Sequence, residues 1–221
     1  MVKLKKIQML TAVAVLAFTA STSSYAATLT PKDSEASIEF KESTEVIKPV
    51  DPEKPGEPGT DPGTGMPGPL SIDHISDLSF GKENTISGLK KTYYTTTQKP
   101  YLQVSDLRGT GAGWKVTASM SGFTNNGKET MAGAKINLLN GSALSANTLL
   151  TKPGVQQNIE LTTDNAEVLV MSAAAGSGLG TWVTRWFPTK GSEDVQLTVP
   201  AASALVGESK ATIIWTLHDA P

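Results

Sequence analysis

The chain of 221 residues contains no cysteine. Disulfides and cysteine-based metal clusters are therefore excluded, and an exported domain of this composition has to hold together through its core. Histidine is almost as scarce, at two residues, His74 and His218. Neither stands in a motif with a nucleophile, so no histidine-based acid–base machinery is visible. Excess positive charge is also missing: 19 Lys plus Arg face 21 Asp plus Glu. Without a basic cluster, a nucleic-acid partner is excluded. The acidic residues are scattered and show no calcium-loop spacing. Asp73 and Asp77 flank His74, which suits a polar strand end better than a cation site. The glycine-rich runs Gly109–Gly113 and Gly176–Gly180 match neither a phosphate loop nor a dinucleotide fingerprint and read as tight turns. Ser177 lacks the spacing of a nucleophile elbow. The sequence thus predicts no catalytic residues, no metal ligands and no cofactor.

Long apolar runs are missing apart from one. Lys3, Lys5 and Lys6 precede the apolar stretch from Met9 to Ala20, and small residues follow at Ser24 and Ala26. The stretch falls short of the ~20 residues that span a bilayer. It reads as a signal peptide over residues 1–26, cleaved between Ala26 and Ala27. Its removal leaves 16 basic against 21 acidic residues, a net charge near −5. No second membrane segment and no sorting motif with an apolar tail follow. A protein retained at a cell surface would then be held there non-covalently.

What remains is dominated by strand patterns. Hydrophobic residues make up 38 % of the chain, low enough to place part of it outside a core. Ile38 and Phe40 alternate with Glu39 and Lys41, predicting a short half-buried strand over Ala36–Lys41 in an N-terminal segment, residues 27–48. Residues 49–69 interleave proline with glycine and charge and read as a flexible linker or, where Ala36–Lys41 pairs into the main sheet, as a long loop inside one domain. From Leu70 to the end, residues 70–221, period-2 segments recur between turn signals. They include Leu70–His74, Tyr101–Val104, Trp114–Met120, Ala134–Leu138, Val195–Val199 and Ile213–Leu217. Val168–Met171 is a continuous apolar run, as in a strand buried on both faces. Asn126-Gly127 and Asn140-Gly141 are turn dipeptides. No stretch has helical period with caps. The prediction is an all-β domain, a single β-sandwich or barrel.

The chain has 4 tryptophans. Trp114 shares a strand face with Val116, and Trp215 shares one with Leu217. Their aliphatic partners favour burial. Trp182 and Trp186 lie in Trp182-Val183-Thr184-Arg185-Trp186-Phe187, three large aromatics within six positions. Two readings stay open for that stretch. The rings fill a core, or they form a platform that stacks on sugar rings while Arg185 adds a polar contact. Trp182, Arg185, Trp186 and Phe187 are therefore the candidate contact residues.

Several segments together resemble the WxL-domain proteins, surface proteins of low-GC Gram-positive bacteria. They are Leu70-Ser71-Ile72-Asp73, Leu78-Ser79-Phe80-Gly81, Leu102 to Gly109, Gly111-Ala112-Gly113-Trp114, Thr198-Val199-Pro200 and Trp215-Thr216-Leu217, behind a leader and a proline-rich stretch. The resemblance covers essentially all of residues 27–221. It implies a secreted, non-catalytic protein associated with the cell wall, with peptidoglycan or another wall polymer and other cell-surface proteins as partners. It also implies that Trp114, Val116, Trp215 and Leu217 form the two family motifs, with Val116 departing from the usual leucine. A secreted lectin or adhesin, or a structural subunit of a surface complex, is the alternative. A carbohydrate-active enzyme is disfavoured because no carboxylate pair accompanies the aromatics.

Overall fold

A computed structural model describes residues 31–187 and 191–219, so the predicted leader lies outside the described residues. Period-2 alternation becomes strands throughout. In chain order these are β1 (Leu70–Ile75), β2 (Lys91–Tyr94), β3 (Tyr101–Asp106), β4 (Trp114–Met120), β5 (Phe123–Asn125), β6 (Lys128–Thr130) and β7 (Lys135–Leu139). They continue with β8 (Ser142–Leu144), β9 (Gly154–Val155), β10 (Asn158–Thr162), β11 (Val168–Ala173), β12 (Gly180–Arg185), β13 (Val195–Val199) and β14 (Ile213–His218). One 3-10 turn, Gly191–Asp194, precedes β13, and no α-helix occurs among the described residues.

The strands form three four-stranded antiparallel sheets, ordered β1-β3-β12-β8, β10-β7-β13-β2 and β14-β4-β11-β9, plus the β5-β6 hairpin. Their inner faces share one core. Ile72, Leu102, Val104 and Trp182 come from the first sheet, with Trp186 just past the end of β12, Ile136, Leu138, Ile159, Leu161, Val195 and Leu197 from the second, and Trp114, Val116, Ala118, Met120 and Met171 from the third. The all-β sandwich expected from the alternation is what forms.

Local details differ from the sequence reading in four places. First, Ala36–Lys41 forms no strand, and Ile38 and Phe40 are 78 % and 83 % exposed. Alternation supplies a face but no pairing partner, and a lone strand is not stable. Second, Asn126-Gly127 turns the β5-β6 hairpin with both residues at positive φ, as a two-residue loop needs, but Asn140-Gly141 closes no hairpin. It carries the chain from β7 in one sheet to β8 in another. Third, the run Val168–Met171 is not buried on both faces. The β11–β4 register shifts between Leu169 and Met171, so the bulge buries Val170 and Met171 while Leu169 stays exposed.

The fourth difference is the largest. The proline-rich stretch is not a free linker but an ordered strap, part of the same compact unit as the sheets. It folds back on itself through a bridge between Val50 and Pro58, with Pro49 and Pro52 buried. Proline cannot donate to a ladder, but the intervening residues can. Val50 N donates to the Gln103 Oε1 at 2.8 Å, and Gln103 Nε2 donates to the Lys48 carbonyl at 3.1 Å. Thr64 N donates to the Asp73 carbonyl at 2.8 Å and so covers the outer edge of β1. His74 Nδ1 donates to the Pro62 carbonyl at 2.8 Å. These partners lie up to 55 positions away in sequence, beyond the reach of any local pattern.

Candidate functional site

The two Trp-x-aliphatic triplets, about a hundred positions apart, lie on neighbouring strands. β14 pairs antiparallel with β4 so that Leu217 faces Val116, Trp215 faces Ala118 and Ile213 faces Met120. Directly paired residues point to the same side, so both motifs share the core face of one sheet. They are not equally deep. β4 is interior to its sheet, and Trp114 and Val116 are fully buried. β14 is an edge, and Trp215 and Leu217 are only partly buried. Valine at 116 fits here because a β-branched side chain packs well on a pleated surface.

Two glycine-rich loops enclose Trp114. Its Nε1 donates to the Gly178 carbonyl at 3.1 Å. Gly176 N donates to the Gly111 carbonyl at 2.8 Å and joins the loops. Gly178 has φ +70°, and a Cβ there would stand 2.8 Å from Trp114 Nε1 and 2.4 Å from the Ala173 Cβ. Gly113 has φ +84°, and a Cβ there would meet the Ala173 carbonyl oxygen at 2.4 Å. Both positions need glycine for conformation and for space. The runs are turns, as expected, but turns shaped around one indole.

The Trp182–Phe187 stretch does not form an exposed platform. β12 lies between β3 and β8, and Trp182 pairs with Val104 while Thr184 pairs with Leu102. Trp182, Thr184 and Trp186 therefore face inward, and both indoles are 3 % exposed. Trp182 Nε1 donates to the Leu179 carbonyl at 2.9 Å. The Trp186 ring packs on Trp215 with centroids 6.0 Å apart and planes tilted by 42°. A buried indole cannot stack on a sugar. Of the four candidate contact residues, Arg185 and Phe187 keep accessible surface, with the guanidinium 5.5 Å above the Phe187 ring.

An ion pair that the sequence reading passed over ties the motif strands together. Arg108 Nε donates to Asp106 Oδ1 at 2.9 Å, and Nη2 donates to Asp106 Oδ2 at 2.8 Å. Nη2 also donates to the Gly113 carbonyl at 2.8 Å, and Nη1 to the Asp219 carbonyl at 3.3 Å. One guanidinium thus joins the end of β3, the loop entering β4 and the exit of β14. The Asp106 side chain is fully buried and that of Arg108 nearly so. Hydrogen bonding to Asp106 raises the Arg108 pKa further. The signal available in the sequence was Asp-x-Arg next to glycine at a strand end.

The whole sequence pattern matches a known family. Residues 27–221 match the family described as WxL domain, surface cell wall-binding. The chain is a WxL-domain protein. The match begins at the residue after the predicted leader. Comparison with curated proteins and with solved structures gives no significant match.

The WxL domain also carries a buried polar layer beneath its strap. On the outer face of the first sheet, Asp73 Oδ1 accepts from Ser71 Oγ at 2.6 Å, and Oδ2 accepts from Ser105 Oγ at 2.6 Å and from Gln103 Nε2 at 2.9 Å. A bulge between Ile72 and His74 puts Asp73 and His74 on this same face. The His74 ring stacks on Tyr101 at 4.1 Å, and the Tyr101 hydroxyl donates to Asp61 at 3.2 Å. Burial, then Asp61, pushes the Tyr101 hydroxyl pKa well up. His74 is engaged by Pro62 and Ser76, and Asp73 by hydroxyls and an amide. Nothing in this arrangement uses Asp73 and His74 as a ligand pair. Among the described residues, no group of three or more His, Asp or Glu is placed to hold a metal ion.

Asp73 gives the domain an unusual pH response. Desolvation raises its pKa, and the hydrogen bonds from Ser105, Ser71 and Gln103 offset only part of the rise. A carboxyl with a raised folded pKa contributes stability that is fully present below its unfolded pKa. That contribution is lost as pH rises through the folded value. Asp73→Asn keeps the shape and removes the charge. In urea melts, the variant should gain on the wild type as pH rises from the ordinary carboxylate range toward neutrality. A difference between the two proteins that is independent of pH would refute this.

Proposed function

We propose that this WxL domain is a secreted, non-catalytic module that attaches without a covalent bond to the Gram-positive wall, either directly to peptidoglycan or another wall polymer or through a partner surface protein. The observation that carries this reading is the match to the wall-binding family over residues 27–221. Because the motif indoles serve packing, the contact lies elsewhere on the surface. Arg185 and Phe187 are the best-supported contact residues. Both side chains are partly exposed, and the Arg185 guanidinium lies over the Phe187 ring. A partly exposed cation beside a partly exposed aromatic ring suits a hydroxyl-rich chain.

Co-sedimentation of residues 27–221 with purified walls tests both levels. The wild type should pellet with walls in the absence of any other protein if attachment is direct. Arg185→Ala combined with Phe187→Ala should lower retention several-fold while leaving the thermal melt close to wild type. Retention equal to wild type would remove these two residues from the contact. A wild-type protein that never pellets, even with other surface proteins restored, would overturn wall attachment itself.

A further inference from the structure

Sheet edges expose unpaired N–H and C=O groups, and proteins usually protect them with short strands, charges, proline or a covering segment. In this domain most edges are protected in one of those ways. β1 is covered by Thr64 of the strap. β8 and β9 have three and two residues. β2 has four residues and carries Lys91, whose ammonium lies 5.0 Å above the Tyr93 ring. β10 carries Glu160, paired with Lys135, and packs against β4 and β11.

β14 is the exception. It is six residues long, Ile213-Ile214-Trp215-Thr216-Leu217-His218, with no proline, no glycine and no Asp, Glu, Lys or Arg. Its register with β4 is unbroken, so no bulge twists it away. No backbone hydrogen bond from any described residue outside β4 reaches it. Ile214 on its outer face is 50 % exposed, and Trp215 and Leu217 on the core side are only partly covered.

We infer that β14 is an interaction edge, and that its occupant is the β14 of a second copy, paired antiparallel about a two-fold axis. An unpaired strand edge calls for another strand, because only a strand supplies alternating donors and acceptors at the right spacing. Two-fold pairing is self-complementary. An axis through Trp215 or Thr216, perpendicular to the sheet, keeps Ile213, Trp215 and Leu217 of both copies on the core side. It keeps Ile214, Thr216 and His218 together on the other. The absence of Asp, Glu, Lys and Arg means that this pairing brings no like charges together, which β10 paired with itself about Glu160 would do. The third sheet then runs continuously through both copies. This inference stands apart from wall binding and does not depend on it.

Sedimentation velocity on residues 27–221, from roughly 1 to 500 μM, should show mass action between monomer and a species of twice the mass. Ile214→Lys places a charge on the edge and should shift the dissociation constant upward by at least about tenfold, with an unchanged melt. Amide exchange on the wild type provides a second readout that needs no variant. Edge amides within Ile213–His218 should slow at the higher concentration while the interior strands do not change. A wild type that stays monomeric throughout overturns the inference, and β14 amides slowed only by another surface protein would assign the edge to that partner instead. A dimer equally stable in Ile214→Lys, with β14 exchange independent of concentration, overturns it as well.

Discussion

Trp114→Ala will destabilise the domain by about 3–5 kcal/mol, as expected for truncation of a buried tryptophan. For a domain of this size that is a fall in melting temperature on the order of 10 °C. Trp215→Ala will cost only about 1–3 kcal/mol, because an edge ring with solvent on one side loses less and leaves no closed cavity. The asymmetry comes from position. Trp114 is 0 % exposed, on an interior strand, with its Nε1 bonded to the Gly178 carbonyl. Removing the indole orphans that carbonyl as well as opening a void. The loops around it cannot simply collapse, since Gly113 and Gly178 already sit against Ala173. Trp215 packs on Trp186 across the sandwich, and that neighbour remains when it is gone. Paired urea denaturation curves decide the matter, and equal losses for the two variants would refute the ranking. The same measurement guards functional assays, because loss of wall binding in a Trp114 variant is informative only where the variant is shown to be folded.

Arg108→Ala will cost a comparable amount, about 3–5 kcal/mol, for a different reason. It leaves the buried Asp106 carboxylate without its charged partner, with only the residue-108 backbone N–H still donating to it at 3.2 Å, and breaking a buried pair from one side is far worse than never having built it. Lysine cannot restore the fork that reaches both carboxylate oxygens, so Arg108→Lys should recover only part of the loss. Replacing both residues by apolar side chains of similar size should be much milder than either single change, since no uncompensated charge remains. A double-mutant cycle by chemical denaturation measures the coupling. A cost for Arg108→Ala within about 0.5 kcal/mol, the range of ordinary surface substitutions, would show that the clamp is structurally idle. Arg108 also holds the Gly113 and Asp219 carbonyls. Its loss should therefore speed amide exchange at the β4 entry and the β14 exit before it does so elsewhere.

The strand content was legible because alternation is a local signal. Trp114–Met120, Val195–Val199 and Ile213–Leu217 each carry their inner face within a few residues, and each forms, while Leu70–His74 forms its strand but a bulge after Ile72 turns His74 to the outer face. Short strands such as β8 and β9 were not legible, since two or three residues hold no period. Ala36–Lys41 shows the converse, a period without a partner. The order of the strap was not legible because proline and glycine describe only the segment itself. What orders it is a row of side chains on β1 and β3 that local composition does not mention. The aromatic stretch was ambiguous by nature. Period 2 states that Trp182 and Trp186 share a face, and only the placement of β12 between β3 and β8 states that the face is inward.

The sequence alone determined the class of fold and the family, because these depend on residue types at short spacing. Tertiary structure decided everything that depends on which strand lies beside which. It set the two motifs side by side, sealed Trp114 inside and left Trp215 at an edge. It drew Arg108 into a clamp across three chain segments and put a buried carboxylate under the strap. Burial and pairing are properties of long-range neighbours, and a residue's own sequence context does not contain them.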